Sequence, residues 1–112
     1  MQLCRSVVQA NRGEVWLVDL GLAAKVRPCL VLSVPVTDTE RALVTLVPHT
    51  TAVRGTRFEC TVPIAFLKSG AFDAQGMVTV PHARLLRRLG VLQEEQLAEV
   101  ETTVAHWLGL RR

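Results

Sequence analysis

Two short motifs in this 112-residue chain carry residue types that could perform chemistry: an arginine before a proline and a threonine pair after another proline. Arg27 stands in KVRPCLVLS and Thr50 stands in LVPHTT, each at one end of an apolar run. A guanidinium can pair with two phosphate oxygens, and a nearby hydroxyl can orient a phosphate oxygen or an attacking group. Together these side chains could act on a phosphodiester.

Both residues also have a purely structural interpretation. Arg27 could cap a carboxylate such as Asp19, and Thr50 could close a turn through a hydrogen bond to its own backbone. Residue types alone favour this interpretation, so the elements that position the two side chains become the deciding evidence.

Five segments are predicted to be β-strands because they are rich in Val, Leu and Thr and are bounded by Gly, Pro or polar clusters. They are residues 14–20, 29–36, 42–47, 57–62 and 76–80. Short connections between them favour antiparallel neighbours. If the second and third strands pair in this way, the start of one meets the end of the other, and Arg27 becomes a neighbour of Thr50.

After Gly90 the apolar spacing becomes that of an amphipathic α-helix, with Glu94 and Glu95 in its first turn. The predicted apolar stripe comprises Leu97, Val100, Val104, Trp107 and Leu108. Residues 63–69 and 82–88 are predicted to form short helical turns. These elements predict a mainly β, β-rich α+β fold, a small partly open barrel with a C-terminal α-helix.

The length fits one domain, predicted at residues 12–112 after a loose arm at residues 1–11. The N-terminal residues have too short an apolar kernel for a signal peptide, and no apolar run is long enough for a membrane span. Cys4, Cys29 and Cys60 lack CxxC spacing. We predict that Cys29 and Cys60 are small buried hydrophobes and that Cys4 is a tail thiol, in a cytoplasmic, reducing environment.

The net charge of +3 is carried mainly by arginine, with eleven Arg against two Lys. This bias supports a polyanionic partner, because the guanidinium fork matches phosphate geometry. Composition alone does not separate a nucleic-acid-binding protein from one with solvated basic faces.

The common metal, dinucleotide, nucleotide and serine-hydrolase motifs are absent from the sequence. His49 and His82 each follow a proline at a predicted strand end, which favours side chains at a rim. His106 lies opposite the apolar stripe of the helix and is predicted to be solvated. No third ligand shares a regular spacing with these histidines, so neither a metal nor another cofactor is predicted.

The ordered succession RGEVWLVDL, KVRPCLVLS, LVTLVPHTT, FECTVP, AQGMVTV and RLLRRLG, followed by an amphipathic helix, resembles the MazF/PemK (Kid) family of bacterial toxins. The resemblance runs from about Arg12 to the end of the chain. It implies an SH3-like, CcdB/MazF-like barrel that forms a homodimer. It also implies a metal-independent, sequence-selective endoribonuclease that cleaves single-stranded RNA and is inhibited by a MazE-like antitoxin whose tail occupies the RNA groove.

In that family the Arg of the RP motif and the first Thr of the PxTT motif are catalytic, which assigns the roles here to Arg27 and Thr50. The implied reaction is attack of the ribose 2′-OH on phosphorus, giving a 2′,3′-cyclic phosphate and a 5′-OH. The residues assigned to RNA binding are Lys25, His49, Thr51, Arg54, Gln75 and Arg84. Many members carry Asp before the Gln, whereas this chain has Ala74 there and Asp73 one residue earlier.

Two alternatives remain open at this stage. CcdB proteins share the general fold and inhibit DNA gyrase by binding, which would use the C-terminal helix, although Trp107 fits the core stripe better. A degenerate family member could also bind RNA without cutting it, and Ala74 at the Asp position leaves this possible.

Overall fold

The computed structural model describes residues 9–21 and 25–110. Two 3₁₀ turns, Ala74–Gly76 and His82–Arg84, interrupt a series of seven β-strands that ends in one α-helix. The strands are β1 (Glu14–Asp19), β2 (Val26–Val31), β3 (Leu43–Thr50), β4 (Glu59–Cys60), β5 (Ala71–Asp73), β6 (Val78–Pro81) and β7 (Leu85–Val91), and the helix is α1 (Glu94–Leu108).

The long strand β3 organises the sheet, whose strand order is β4-β5-β3-β2-β1-β7. It pairs antiparallel with β2 along one edge. Along its other edge, its first half pairs with β6 and its last two residues pair with β5. The end of β3 is therefore held between β2 and β5.

The two faces of the sheet bury separate apolar clusters. One cluster combines strand residues such as Leu30, Val47 and Phe72 with Val100 and Val104 of α1. The other, which we call the barrel cluster, is built mainly from the strands, and α1 adds no residue to it in the described part of the chain. Its central residues are nevertheless fully inaccessible to solvent: Val18, Cys29, Val31 and Leu46.

A sheet can bury one face without a covering helix by curving around that face, as in a barrel. The chain leaves β6, which pairs with β3, and passes through His82–Arg84 into β7, which pairs with β1. This connection crosses from the β3 part of the sheet to the β1 part, while the strand order stays open. The predicted mainly β, partly open barrel with a C-terminal helix is confirmed.

Helix α1 starts at a capping box in which the side chains of Gln93 and Gln96 bond each other's backbone N–H groups, and it ends at Gly109 with φ +70°. The prediction that Trp107 and Leu108 join the core stripe is wrong, since their exposures are 40% and 49%. The helix packs on the two-residue strand β4 and on Ala74–Gly76, which leaves little sheet to cover its last turn. Trp107 rests on Phe58 instead, with ring centroids 5.0 Å apart.

Several predicted element boundaries were also wrong. Residues 82–88 are helical only at His82–Arg84, and Leu85–Val91 is a strand whose two register shifts against β1 break the alternating pattern. The strand predicted at 57–62 shrinks to Glu59–Cys60, and residues 63–69 form a turn without a helix.

The short strand β5 was not predicted at all, and β2 begins before the proline, at Val26. Residues 22–24 of the first predicted loop lie outside the described residues, as do residues 1–8 of the predicted arm. Ala10, also assigned to that arm, is buried in the barrel cluster. Asn11 bonds Glu14.

The cysteines follow the prediction where the structure describes them. Cys29 and Cys60 are buried free thiols. Cys4 lies outside the described residues. Within residues 9–21 and 25–110, no helix has the length and apolar character needed to cross a membrane.

Candidate active site

Arg27 and Thr50 lie just beyond the last residue pair of β2 and β3, and both line the same groove. Cys29 lies opposite Pro48, and continuing this antiparallel register by two residues places Arg27 opposite Thr50. On its other side Arg27 is paired with Val18 of β1, so it is held within the sheet and not in a loop. The two residues expected to be neighbours therefore belong to one groove.

Both residues line a groove of about 550 Å³, a size within the usual range for ligand sites. Leu20, Pro48 and Val78 supply apolar walls. The charged and amide side chains that line it, besides Arg27, are Arg54, Glu59, Asp73 and Gln75. The groove thus combines guanidinium groups, a hydroxyl and carboxylates over an apolar base.

The hydroxyl of Thr50 already takes part in one hydrogen bond. Its Oγ1 accepts the backbone N–H of Ala52 at 3.0 Å. This is the turn-closing role that the structural interpretation predicted. Since a hydroxyl has one hydrogen to donate and two lone pairs, accepting this bond leaves the O–H of Thr50 able to donate to a substrate oxygen.

The loop that carries Arg54 is held by Glu59. The Glu59 carboxylate accepts the backbone N–H of Arg54 at 3.0 Å and of Thr56 at 2.8 Å. These hydrogen bonds to the backbone N–H groups of Arg54 and then Thr56 lower the pKa of Glu59 below its ordinary value. Residues 51–57 are all exposed, so core packing does little to hold them. The two bonds to the Glu59 carboxylate, which we call the Glu59 clamp, therefore do much to fix their conformation.

The end of β5 brings Asp73, and not Ala74, to the groove. Asp73 Oδ1 accepts the backbone N–H of Gln75 at 3.1 Å and caps the turn Ala74–Gly76. Ala74 is buried at 1% exposure in the cluster beneath α1. The carboxylate therefore comes one residue before Ala74, the position at which the resemblance predicts an aspartate.

The prediction that His49 and His82 lie at a rim was wrong, because both are buried, at 4% and 7% exposure. Side chains alternate along a strand, so His49 faces away from the groove that Pro48 and Thr50 line. It packs edge-on against Phe72 with centroids 5.0 Å apart. Burial lowers the pKa of His49 and favours its neutral form.

His82 is buried elsewhere, and its Nδ1 has no hydrogen-bond partner among the described residues. His106 is exposed as predicted and packs edge-on against Phe58.

Arg54 and Gln75 are the two predicted RNA-binding residues that line the groove with Arg27 and Thr50. Lys25, Thr51 and Arg84 are exposed, but they are not among the described residues that form it. Arg84 Nη1 donates to the carbonyl of Asp19 at 3.4 Å, at the β1 side of the barrel.

Sequence reasoning missed Thr56 and Glu59, which also line the groove. Their spacing, Thr-x-x-Glu, is the spacing of a capping box, and the structure has one half of that arrangement in the bond from Thr56 N–H to Glu59. This pattern could have identified the clamp, although no helix follows it.

No group of three or more His, Cys, Asp or Glu side chains within the described ranges is arranged to hold a metal ion. Among the described residues that line the groove, the cationic side chains are those of Arg27 and Arg54, and guanidinium groups suit an anionic ligand such as a phosphate.

The chain matches the family of PemK-like, MazF-like toxins of type II toxin-antitoxin systems over residues 11–108. It is similar to MazF from Deinococcus radiodurans, with 28% identity, a TM-score of 0.76 and coverage of 92% of this chain and 99% of that one. The Mycobacterium tuberculosis toxin MazF-mt6 is 26% identical, with a TM-score of 0.75 and coverage of 88% and 99%.

An endoribonuclease from a mycobacterial species, solved in complex with its cognate antitoxin, is 25% identical to the chain. Its TM-score is 0.78, and the match covers 92% of this chain and 98% of that one. The family match includes the whole sheet, the groove and α1. The chain therefore belongs to the PemK-like, MazF-like toxins of type II toxin-antitoxin systems.

Proposed function

We propose that this toxin is an endoribonuclease that cleaves single-stranded RNA in the groove shared by Arg27 and Thr50. The observation that carries the proposal is that Arg27 and Thr50, at the ends of the neighbouring strands β2 and β3, line one open groove. The similar mycobacterial protein, itself an endoribonuclease, supports the same class of activity.

The proposed reaction is an internal transesterification. The ribose 2′-OH attacks the adjacent phosphorus, the bond from phosphorus to the 5′ oxygen breaks, and the products are a 2′,3′-cyclic phosphate and a 5′-OH. The 2′ oxygen gives its proton to a carboxylate of the groove, and the departing 5′ oxygen takes up a proton from solvent water. The protein must therefore stabilise negative charge on the non-bridging oxygens and accept the proton of the 2′-OH.

Arg27 supplies the charge stabilisation in this proposal. An arginine side chain has a pKa above about 12 and stays protonated in proteins, so it serves as an electrostatic clamp and not as a base. The Thr50 hydroxyl donates its hydrogen to a phosphate oxygen while its own oxygen stays bonded to Ala52.

Asp73 is the groove carboxylate better suited to receive the proton of the 2′-OH. Glu59 uses its carboxylate on the backbone of Arg54 and Thr56. Toward the described residues Asp73 uses only Oδ1, for the cap on Gln75, so its Oδ2 is the oxygen that would receive the proton. The mechanism does not depend on a metal ion or an organic cofactor.

Recognition of RNA follows from the remaining groove residues. Arg54 binds a neighbouring phosphate, and Gln75 can both donate to and accept from a base edge. Lys25, Thr51 and Arg84 extend the positive or polar surface outside the groove. Because unstacked bases expose their edges, a groove of this size selects single strands and gives sequence preference.

The proposed partners are a MazE-like antitoxin and a second copy of the chain. The mycobacterial complex supports the first, since that protein is bound to its cognate antitoxin. An antitoxin tail in the groove would compete with RNA for Arg27 and Arg54. The proposed location is the cytoplasm, where cellular RNA is available.

Cleavage of a defined RNA, followed by mapping of the ends, tests the function. We expect the wild type to produce cyclic phosphate and 5′-OH ends, and Arg27→Ala to lower the rate by about 10²- to 10³-fold. Arg87→Ala, an exposed arginine of β7 outside the groove, is the matched control. Wild-type cutting at a 2′-deoxy linkage would contradict the mechanism.

The same preparation, added to DNA gyrase and supercoiled DNA, tests the binding-inhibitor alternative. Inhibition of gyrase without RNA cleavage would replace the proposal. Tight RNA binding without any cutting would instead identify a non-catalytic member of the family.

A further inference from the structure

A close backbone contact joins the loop before β5 to the end of β3. A Cβ atom built on Gly70 would stand 2.2 Å from the carbonyl oxygen of Thr50 and 2.7 Å from Cε1 of His49. Real Cβ atoms do not approach a backbone oxygen this closely, so any residue larger than glycine must displace Thr50 or Gly70. This position requires glycine for space, since its φ is not in the left-handed region.

The strand that follows Gly70 ties together three polar residues of the groove. Ala71 pairs with Thr50. Asp73, at the other end of this three-residue strand, pairs with Glu59 of β4. The spacing between β5 and the end of β3 thus sets the positions of Thr50, Asp73 and Glu59 relative to one another.

Thr50 is sensitive to a backbone shift. Its Oγ1 is fixed by the N–H of Ala52, so a movement of the Thr50 carbonyl and of the chain after it changes the direction of the hydroxyl. The backbone beyond Thr50 is exposed through 51–57 and has few core contacts to resist such a movement.

We infer that Gly70 is a positioning residue for the reaction, acting through Thr50 by admitting β5 close to the end of β3. It touches no substrate. The inference rests on the proposed endoribonuclease function, and it adds the residue that sets the geometry of the hydroxyl. Because misplacement of a catalytic group by about 1 Å can cost about 10²-fold in rate, Gly70→Ala should lower kcat by at least about tenfold.

The experiment is a double-mutant cycle on RNA cleavage with wild type, Gly70→Ala, Thr50→Ala and the double variant. If Gly70 acts mainly through Thr50, Gly70→Ala lowers kcat in the wild-type background, leaves KM within about threefold, and has a much smaller effect when Thr50 is already alanine. Equal losses from Gly70→Ala in both backgrounds would overturn the inference.

A destabilised control separates positioning from a general loss of stability. Val44 is buried at the opposite end of β3, six residues or about 20 Å from Thr50. Val44→Ala should lower the melting temperature while kcat per folded molecule stays at the wild-type value. A matching loss of kcat in this control would reduce Gly70 to a structural role and contradict the inference.

Hydrogen exchange at the Ala52 amide gives a readout that does not depend on catalysis. Gly70→Ala should accelerate this exchange by at least about tenfold, and unchanged protection would overturn the inference. If the wild type does not cleave RNA, the proposed function fails. The hydrogen-exchange measurement still shows whether Gly70 controls the position of the turn at Thr50 and Ala52. If Gly70→Ala does not fold, Ala71→Gly loosens the same pairing and must produce the same two changes to a smaller degree.

Discussion

The hydroxyl oxygen of Thr50 accepts the backbone N–H of Ala52 at 3.0 Å, so one side chain both closes the turn after β3 and faces the groove. The structural and the chemical interpretations of this residue are therefore compatible. A hydroxyl that is fixed as an acceptor has its hydrogen directed elsewhere, which suits donation to a phosphate oxygen.

Replacing Thr50 separates its shape from its hydroxyl. Thr50→Ser keeps the donor and the acceptor and should retain kcat within about fivefold, whereas Thr50→Val keeps the shape and should lose about 10²-fold in kcat. Single-turnover RNA cleavage measures both. Thr102→Val on the exposed face of α1, which removes a bond to the carbonyl of Ala98, is the control. Cleavage at the wild-type rate by the Thr50→Val variant would remove Thr50 from the mechanism.

Arg27→Lys tests the geometry of the guanidinium against its charge. Lysine keeps the charge but offers no planar fork, so the bidentate contact with two phosphate oxygens is lost. We expect kcat to fall by about 10- to 10²-fold, less than in Arg27→Ala, with KM little changed. Arg87→Lys on β7 should have no effect. Equal activity in Arg27→Lys and wild type would show that charge alone is sufficient.

The antiparallel meeting of β2 and β3 could be predicted from the sequence, because apolar strands with prolines near their ends define where each strand meets its neighbour. The juxtaposition of Arg27 and Thr50 follows from that pairing. Strand β5 escaped prediction because three residues are too few to form a periodic pattern. His49 was misplaced since alternation along β3, which the structure extends to Thr50, turns it inward.

Glu59 shows a different limit of prediction. Its role depends on hydrogen bonds to backbone groups of a loop, and hydrophobic periodicity does not report such bonds. The exposure of Trp107 likewise follows from the short length of β4, which the helical pattern of α1 does not contain.

The Glu59 clamp should make the groove loop sensitive to acid. The pKa of Glu59 is lowered in the folded protein, so the order it gives the loop is present above the ordinary carboxylate pKa and is lost as pH falls through the lowered value. The amide signals of Arg54 and Thr56 should report this transition by NMR. Glu59→Gln should abolish the pH dependence and raise KM for RNA, and Glu95→Gln in the first turn of α1 is the control. A transition that persists in Glu59→Gln would assign it to another group.

The two described thiols should be unreactive in the native protein. Burial raises the pKa of Cys29 to about 12, which leaves about one thiolate in 10⁴ at pH 8. Burial also raises the pKa of Cys60. In a Cys4→Ser background, iodoacetamide should label neither residue, and both should react after unfolding in guanidinium chloride. Native labelling of Cys29 at the rate of an exposed thiol would contradict its burial in the barrel.

Two substitutions in α1 test how far the helix is buried. Val100 is 1% exposed and packs in the cluster beneath the helix, so Val100→Ala should lower the free energy of unfolding by about 2 kcal/mol. Leu108 is 49% exposed, and Leu108→Ala should change it by less than about 0.5 kcal/mol. Urea unfolding at two protein concentrations measures both values. A large, concentration-dependent loss in Leu108→Ala would contradict the exposed position and would place the last turn of α1 in contact with a second copy, because association stabilises a protein by mass action.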